Sequence, residues 1–442
     1  MRQPLDLIDS DDTLPEAADV VVIGGGIAGA SAAWALARRG VSVALVEKGL
    51  VGAEQSSRNW SWCRQQGRDP GEIPLSRHAV QMWGRMAEDL GADVGWANTG
   101  VLFVSDDAKD LAEWEQWAEL ARTHQVHSRI LSSAEVASLM PGSRKTWRGG
   151  LHTPSDGRAE PAKAAPAIAA AARRLGAKVL QHCAARGLEL QAGRVAGVAT
   201  ERGTIRTQAA LLAGGSWSTL FCRRHGIRLP QLSVRASVLQ TTPTAKVVEA
   251  NVATPGFCIR GTQDGGYILA MSGTGTFPVT PDTFRFGWQF RAIWKARRAR
   301  LKLRSGHAFF DAFGGRARWR MDEESPFERV RTLDPAPDTA LLANGLARFR
   351  EAFPDAAAAR EAASWGALID STPDLVPVID QVETLPGFFL CTGFSGHGFG
   401  IGPAAGQLAA DLVTGAAPIV DPRPFRYRRM IDGSRLRPAS GL

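Results

Sequence analysis

The pattern of apolar and polar positions divides the chain into recognisable units. Residues 20–23, VVVI, are a continuous β-branched run, the signature of a parallel strand buried on both faces. Glycines follow at Gly24-x-Gly26-x-x-Gly29. The small residues over Ala30–Arg39 predict a helix, with Gly40 just past its end. VSVALVE, residues 41–47, predicts the next strand, closing in Glu47. Residues 156–180 predict a turn, a helix and a strand; residues 197–218 predict a hairpin and then a strand running into the small-residue turn AGGSW. Near the C-terminus, GFSGHGFGIG (Gly393–Gly402) leads into a helix with Pro403 near its start, Leu408, Leu412 and Val413 on one face, and Gly415 after its end. Residues 284–304, FRFGWQFRAIWKARRARLKLR, place Phe286, Phe290, Ile293, Trp294 and Leu301 at helical spacing with charges between them, which predicts one buried and one solvated face.

The first glycine cluster has a chemical reading. Gly24 permits a tight turn, Gly26 lets the backbone approach a pyrophosphate, and Gly29 lets the helix pack close to the strand. Ile27 and Ala28 then form the first turn, where unpaired N–H groups and the helix dipole favour an anion. Glu47 can accept hydrogen bonds from a ribose hydroxyl pair and would repel a 2′-phosphate, which disfavours NADP; Lys48 follows it. Strand, glycines, helix, second strand and terminal acid are all in place, which identifies a dinucleotide site without separating FAD from NAD.

Length and charge narrow the picture. The chain has 442 residues, enough for two domains. No apolar run reaches the length of a membrane span, and the acidic N-terminal stretch lacks a signal-peptide core. The five cysteines are scattered and form no C-x-x-C pair, which argues against a zinc or iron–sulfur site and fits a reducing cytoplasm, with the thiols as buried small apolar groups. No metal site is expected. The net charge is +8, much of it in Lys295–Arg304. This run reads as a solvated helix face. An acidic partner is the sharper alternative, but no nucleic-acid motif accompanies it, and neither nucleic acid nor a membrane span is expected.

Taken together, EQSSRNWSWCRQQG (54–67), the segments 156–180 and 197–218, STPDLVPVID (371–380) and the Gly393 stretch resemble the D-amino-acid-oxidase superfamily of FAD-dependent amine and amino-acid oxidoreductases, which includes glycine and sarcosine oxidases. The resemblance implies an α/β fold. A discontinuous Rossmann-like FAD-binding domain would take residues 1–95, 150–230 and 355–442, and an α+β substrate domain with an antiparallel sheet residues 96–149 and 231–354. It implies cofactor contacts from Ser56, Ser57, Arg58, Asn59 and Trp60, from Ala213, Gly214, Gly215 and Trp217, and from Gly393, Gly396, His397, Gly398, Phe399 and Gly400. The C-terminal stretch would stabilise the reduced flavin ring. It also implies hydride transfer from a C–H bond beside an amine nitrogen to flavin N5, hydrolysis of the resulting imine, and reoxidation by O2 or another acceptor. The FAD is expected to be non-covalent: Ala367 and Arg58 stand where covalent relatives have cysteine or histidine.

The substrate is expected to be a small amine or amino acid. The basic residues that relatives use to hold a carboxylate are replaced here by Ile369 and Gly400. Arg64, directly after the flavin loop, is the first candidate for a relocated clamp, and Arg260 the second; His397 either serves as a donor near the flavin edge or the substrate or fixes its loop by hydrogen bonds. Alternatively the substrate lacks a carboxylate, and Trp60, Trp62, Tyr267 and Trp365 line an aromatic pocket. Other readings of the chain are a hydroxy-acid or polyol dehydrogenase, a flavoprotein that modifies nucleic acid, and a helper subunit.

Overall fold

The computed structural model describes residues 5–271, 273–298, 301–304 and 319–438. Two sheets organise them. The smaller has six strands in the order Val378–Gln381, Phe388–Thr392, Ala209–Leu212, Val20–Ile23, Val43–Val46 and Lys178–Leu180. All neighbours run parallel except the antiparallel edge strand Val378–Gln381. Val20 pairs with Ala209 on one side and Val43 on the other. Its central strands are buried along their whole length, as their unbroken apolar runs require.

The helix after the glycines spans Ile27–Ala37, and every residue in it is buried. It starts three residues before the predicted Ala30. It packs against helices Pro161–Arg174 and Gly398–Thr414, and alanine and glycine at the contacts bring the axes close. A Cβ on Gly402 would lie 2.8 Å from the Ile27 side chain, and one on Gly406 would lie 2.5 Å from the Ala32 backbone nitrogen. The C-terminal helix begins at Gly398, so Pro403 falls in its second turn and not at its start; Gly415 ends it in the left-handed conformation, as expected.

The second sheet is larger and mostly antiparallel, with ten strands among the described residues. At its centre Leu232–Thr241 pairs along nearly its full length with Glu361–Ser371. Ser371 bridges to Phe394, so the end of this ladder touches the C-terminal glycine stretch. Residues 284–304 do not form the single amphipathic helix their spacing predicts. They fold as helices ending at Phe286 and spanning Arg291–Arg297, then a strand Leu301–Arg304, with a turn over residues 287–290 between the helices. The apolar side still packs inward: Phe286, Phe290 and Ile293 cluster with Leu232, Val234 and Phe277, while Arg291, Lys295 and Arg298 are exposed. Ala299, Arg300 and the side chains of Arg297 and Leu301 lie outside the described residues. Among those residues no helix is long and apolar enough to cross a membrane.

The Gly406 contact makes a prediction. Gly406→Val would press methyl groups into the Ser31–Ala32 backbone, where overpacking costs about 1–3 kcal/mol or more. Urea unfolding should show a lower midpoint with an unchanged slope. Gly84→Val, at a helix position with open space around its Cβ, should show a much smaller loss.

Candidate functional site

The first cavity opens where the strand Val20–Ile23 ends. Gly24 has φ +108°, and a Cβ there would lie 2.5 Å from the Ala213 carbonyl oxygen. A Cβ on Gly29 would lie 2.0 Å from the Gly24 oxygen, so Gly29 serves helix packing and does not face the cavity. Gly26 does face it, and its missing Cβ would meet only Ser56 Oγ, at 3.2 Å. The Ile27 N–H donates to Ser56 Oγ at 2.8 Å, which seats the loop 55–59 on the helix N-terminus. Ala28, Ala213, Gly214 and Gly215 also border the cavity. Glu47 Oε2 accepts from Gly25 N–H at 2.7 Å and Oε1 from Gly49 N–H at 2.8 Å. Burial pushes its carboxyl above the ordinary range, while Lys48 and the two amides oppose that.

Lys48 does not offer its charge to the cavity. Its ammonium donates to Glu54 and to the carbonyls of Val330 and Arg331, and sits 4.5 Å over the Trp217 ring. Glu54 also accepts from Trp217 Nε1 at 3.1 Å and from Leu333 N–H at 2.9 Å. Arg58 donates to the Leu333 carbonyl at 2.7 Å and to Asp334 at 2.8 Å. Lys48 and Arg58 thus border the cavity, while their charges act as clasps for residues 330–334. Asn59 Nδ2 donates to the Ser56 carbonyl and its Oδ1 accepts from Ser61 N–H, so it shapes the loop. Ser57 borders neither cavity; its Oγ donates to the Glu54 carbonyl.

Gly396, Gly398 and Phe399 border the first cavity, whereas Trp60, His397 and Gly400 border a second. Gln55, Arg58, Asn59, Gly396 and Phe399 border both, so the two cavities meet along these residues. Gly393 lies behind the wall: its N–H donates to Asp370 Oδ2 at 2.9 Å. Asp370 also accepts from Gln231 Nε2 at 2.9 Å, and burial pushes its carboxyl up to about 6. His397 Nε2 is 2.8 Å from Glu72 Oε1, and burial lowers the imidazole pKa, which favours the neutral ring.

The second cavity encloses about 230 Å³. Arg64, Arg68 and His397 mark its polar end; Trp60, Trp62, Phe277, Phe290, Ile293 and Trp294 contribute apolar wall. Arg64 donates to the Gln66 carbonyl and lies 5.4 Å over the Phe103 ring. Burial pulls its pKa down to about 9, and the like charge of Arg68 adds to the shift. The other clamp candidate does not reach the site. Arg260 is buried in a bidentate pair with Glu160, at 2.7 and 2.9 Å, and borders neither cavity. Tyr267 is core: its hydroxyl is 2.9 Å from Val247 N and its ring packs on Phe349. Trp365 also borders neither cavity; it donates to the Arg58 carbonyl at 3.2 Å and packs on Val238 and Ile268. Sequence reasoning missed Arg68, Glu72, Asp370 and the Phe290–Trp294 wall. Arg68 and Glu72 were within reach, since RDPGE directly follows the segment 54–67.

Comparison with known proteins agrees with this geometry. The family model described as FAD dependent oxidoreductase (DAO) matches residues 19–412. The structure of L-amino acid deaminase from Proteus myxofaciens, in complex with anthranilate, superposes with a TM-score of 0.93 at 33% identity over 97% of each chain. Glycine oxidase from Pseudomonas aeruginosa is 25% identical over 92% of this chain and 97% of its own. Mitochondrial sarcosine dehydrogenase of Mus musculus is 26% identical over 94% of this chain, which spans 42% of that protein's length.

The first cavity fits an FAD. It has a glycine with room for an approaching phosphate, a helix N-terminus, a carboxylate at the end of the second strand, and a second glycine-bearing segment on its far wall. Gly26→Val should therefore yield protein without the yellow flavin absorbance, checked as the ratio of visible to 280 nm absorbance. Full flavin retention would contradict the placement. Asp370 gives a pH prediction. Its folded-state value, about 6, lies above the ordinary 3.8, so the stability associated with its protonated form is present at low pH and is lost as pH rises through about 6. Asp370→Asn should gain stability relative to the parent as pH goes from 4.5 to 7, measured by urea midpoints. A constant difference between the two proteins would contradict this.

Proposed function

This chain belongs to the DAO family of FAD-dependent oxidoreductases, and we propose that it oxidises the C–N bond of an amino acid bearing an apolar side chain. The observation that carries the reading is the second cavity. It adjoins the first, carries guanidinium groups at one end, and is walled by aromatic side chains. Bound FAD supplies the hydride acceptor. The chain's own residues do the positioning. Arg64 holds the carboxylate, which fixes the Cα–H toward the seam between the cavities. Trp60, Phe290 and Trp294 take up the apolar group and exclude water from around the reacting carbon. The Asp370–Gly393 and Glu72–His397 hydrogen bonds fix the C-terminal glycine stretch that forms the shared wall. The imine product then hydrolyses to a keto acid and ammonia. The names of the relatives support an amino-acid or N-substituted amino-acid substrate.

We take the FAD-binding unit to comprise residues 1–95, about 154–230 and 372–442, a correction to the expected 150–230 and 355–442, because Gly149–Thr153 and Glu361–Ser371 pair into the antiparallel sheet; the antiparallel unit supplies the side of the substrate wall that holds Leu232, Val234, Phe277, Phe290 and Trp294. Cys391 borders the first cavity, but burial pushes its thiol up to about 12, which supports a non-covalent cofactor. Acid precipitation should leave all yellow colour in the supernatant. The five cysteines are all buried, as expected of small apolar groups in the proposed reducing cytoplasmic location.

The test is an anaerobic substrate panel on the flavin-loaded protein. Phenylalanine or leucine should bleach the flavin, whereas phenethylamine, which lacks the carboxylate, and the hydroxy acid phenyllactate should not. Bleaching by phenethylamine as fast as by phenylalanine would overturn the reading, and bleaching by phenyllactate alone would favour a hydroxy-acid dehydrogenase. Arg64→Ala should raise KM with a loss of about 2–5 kcal/mol in kcat/KM, and Arg64→Lys should recover only part, because the planar fork is gone.

A further inference from the structure

Arg68 is a poorly satisfied charged group at the second cavity. It is 2% exposed, yet it borders that cavity. Its Nε makes a long hydrogen bond, 3.4 Å, to the Arg64 carbonyl. Its Nη1 is buried and has no hydrogen-bond partner among the described residues. Glu72 and Asp156 lie near enough to favour its charge, but neither hydrogen-bonds it: Glu72 Oε1 is 2.8 Å from His397, and Asp156 accepts from the amides of Gln65 and Gln66 at 2.8 and 3.1 Å. A guanidinium carries five donors and cannot shed its charge under ordinary conditions. Burying one with an open donor is costly unless an anion completes it. Arg64 borders the same cavity and already spends a donor on Gln66.

We infer that Arg68 forms, together with Arg64, a two-guanidinium seat for the substrate carboxylate, with the apolar part of the substrate lying toward Phe277, Phe290 and Trp294. The inference rests on the amino-acid reading of this cavity and adds a second anchor to it. Burial lowers the pKa of both arginines, consistent with groups held away from water. The seat also explains how the chain manages with isoleucine at position 369 and glycine at position 400. The anion is gripped from the segment that follows the flavin loop.

The test is equilibrium titration of the flavin-loaded protein, followed by the flavin absorbance spectrum, with no turnover required. Anthranilate is the probe, and its neutral amide, 2-aminobenzamide, is the control. Arg68→Met should weaken anthranilate binding on the order of 100-fold and leave the amide within a few-fold of the parent. Arg68→Lys, which keeps the charge and is the variant to read if the methionine form does not retain flavin, should weaken anthranilate on the order of 10-fold. Steady-state kinetics should place the loss chiefly in KM. If either variant binds anthranilate as tightly as the parent, the seat at Arg68 is overturned while the amino-acid reading stands. If the parent itself does not prefer anthranilate to its amide, the amino-acid reading fails, and the seat with it.

Discussion

The approach of backbone to backbone around the helix Ile27–Ala37 is the constraint on which the rest of this structure depends. The helix is buried on every side, so each neighbour must reach it without a side chain in the way. Gly24 and Gly29 close the turn against Ala213, and Gly402 and Gly406 let the C-terminal helix lie across Ile27 and Ala32. The helix N-terminus is thereby held at the mouth of the first cavity with its donors pointing outward. A methyl group at any of these contacts would displace the two sequence-distant segments that form the cavity walls.

One stretch of chain carries this constraint outward to the chemistry. Ser56 accepts from Ile27 N–H, the loop turns through Asn59 and Trp60, and Arg64 and Arg68 follow within a dozen residues. The same segment therefore touches the helix Ile27–Ala37 at one end and the second cavity at the other. The positions of the two arginines are set by this segment and by its contacts with the antiparallel sheet, where Phe103 lies beneath Arg64 and Thr153 donates to Gln66. The sheet supplies the opposite, apolar wall, where the helix Arg291–Arg297 lays Ile293 and Trp294 along the cavity.

Legibility in the sequence followed the range of the interactions. The strand Val20–Ile23, the glycine turn and the Gly415 stop are local, and each was readable from a few adjacent residues. The place of Arg64 at the second cavity was within reach because it lies beside a recognisable loop. Arg260 was misjudged because an arginine on a strand looks the same whether its partner is a substrate or Glu160, and Glu160 lies 100 residues away. Tyr267 and Trp365 failed for a related reason: aromatic residues on a sheet face alternate between cavity and core, and only the pairing register decides which. The second cation, Arg68, is signalled in the sequence only by its nearness to that loop; what sets it apart from other arginines is a missing partner in space.

The clasp over the first cavity also bears on the order of events during biosynthesis. Lys48 and Glu54 are made early, but their partners at residues 330–333 are separated from them by more than half of the chain, and the wall from Gly396 to Phe399 comes later still. At translation rates of about 5–20 residues per second, the glycine turn waits tens of seconds for the groups that enclose it. FAD capture is thus a late event in the life of the nascent chain. Cofactor supply acts on a nearly complete polypeptide, and a truncated product lacks the means to retain it.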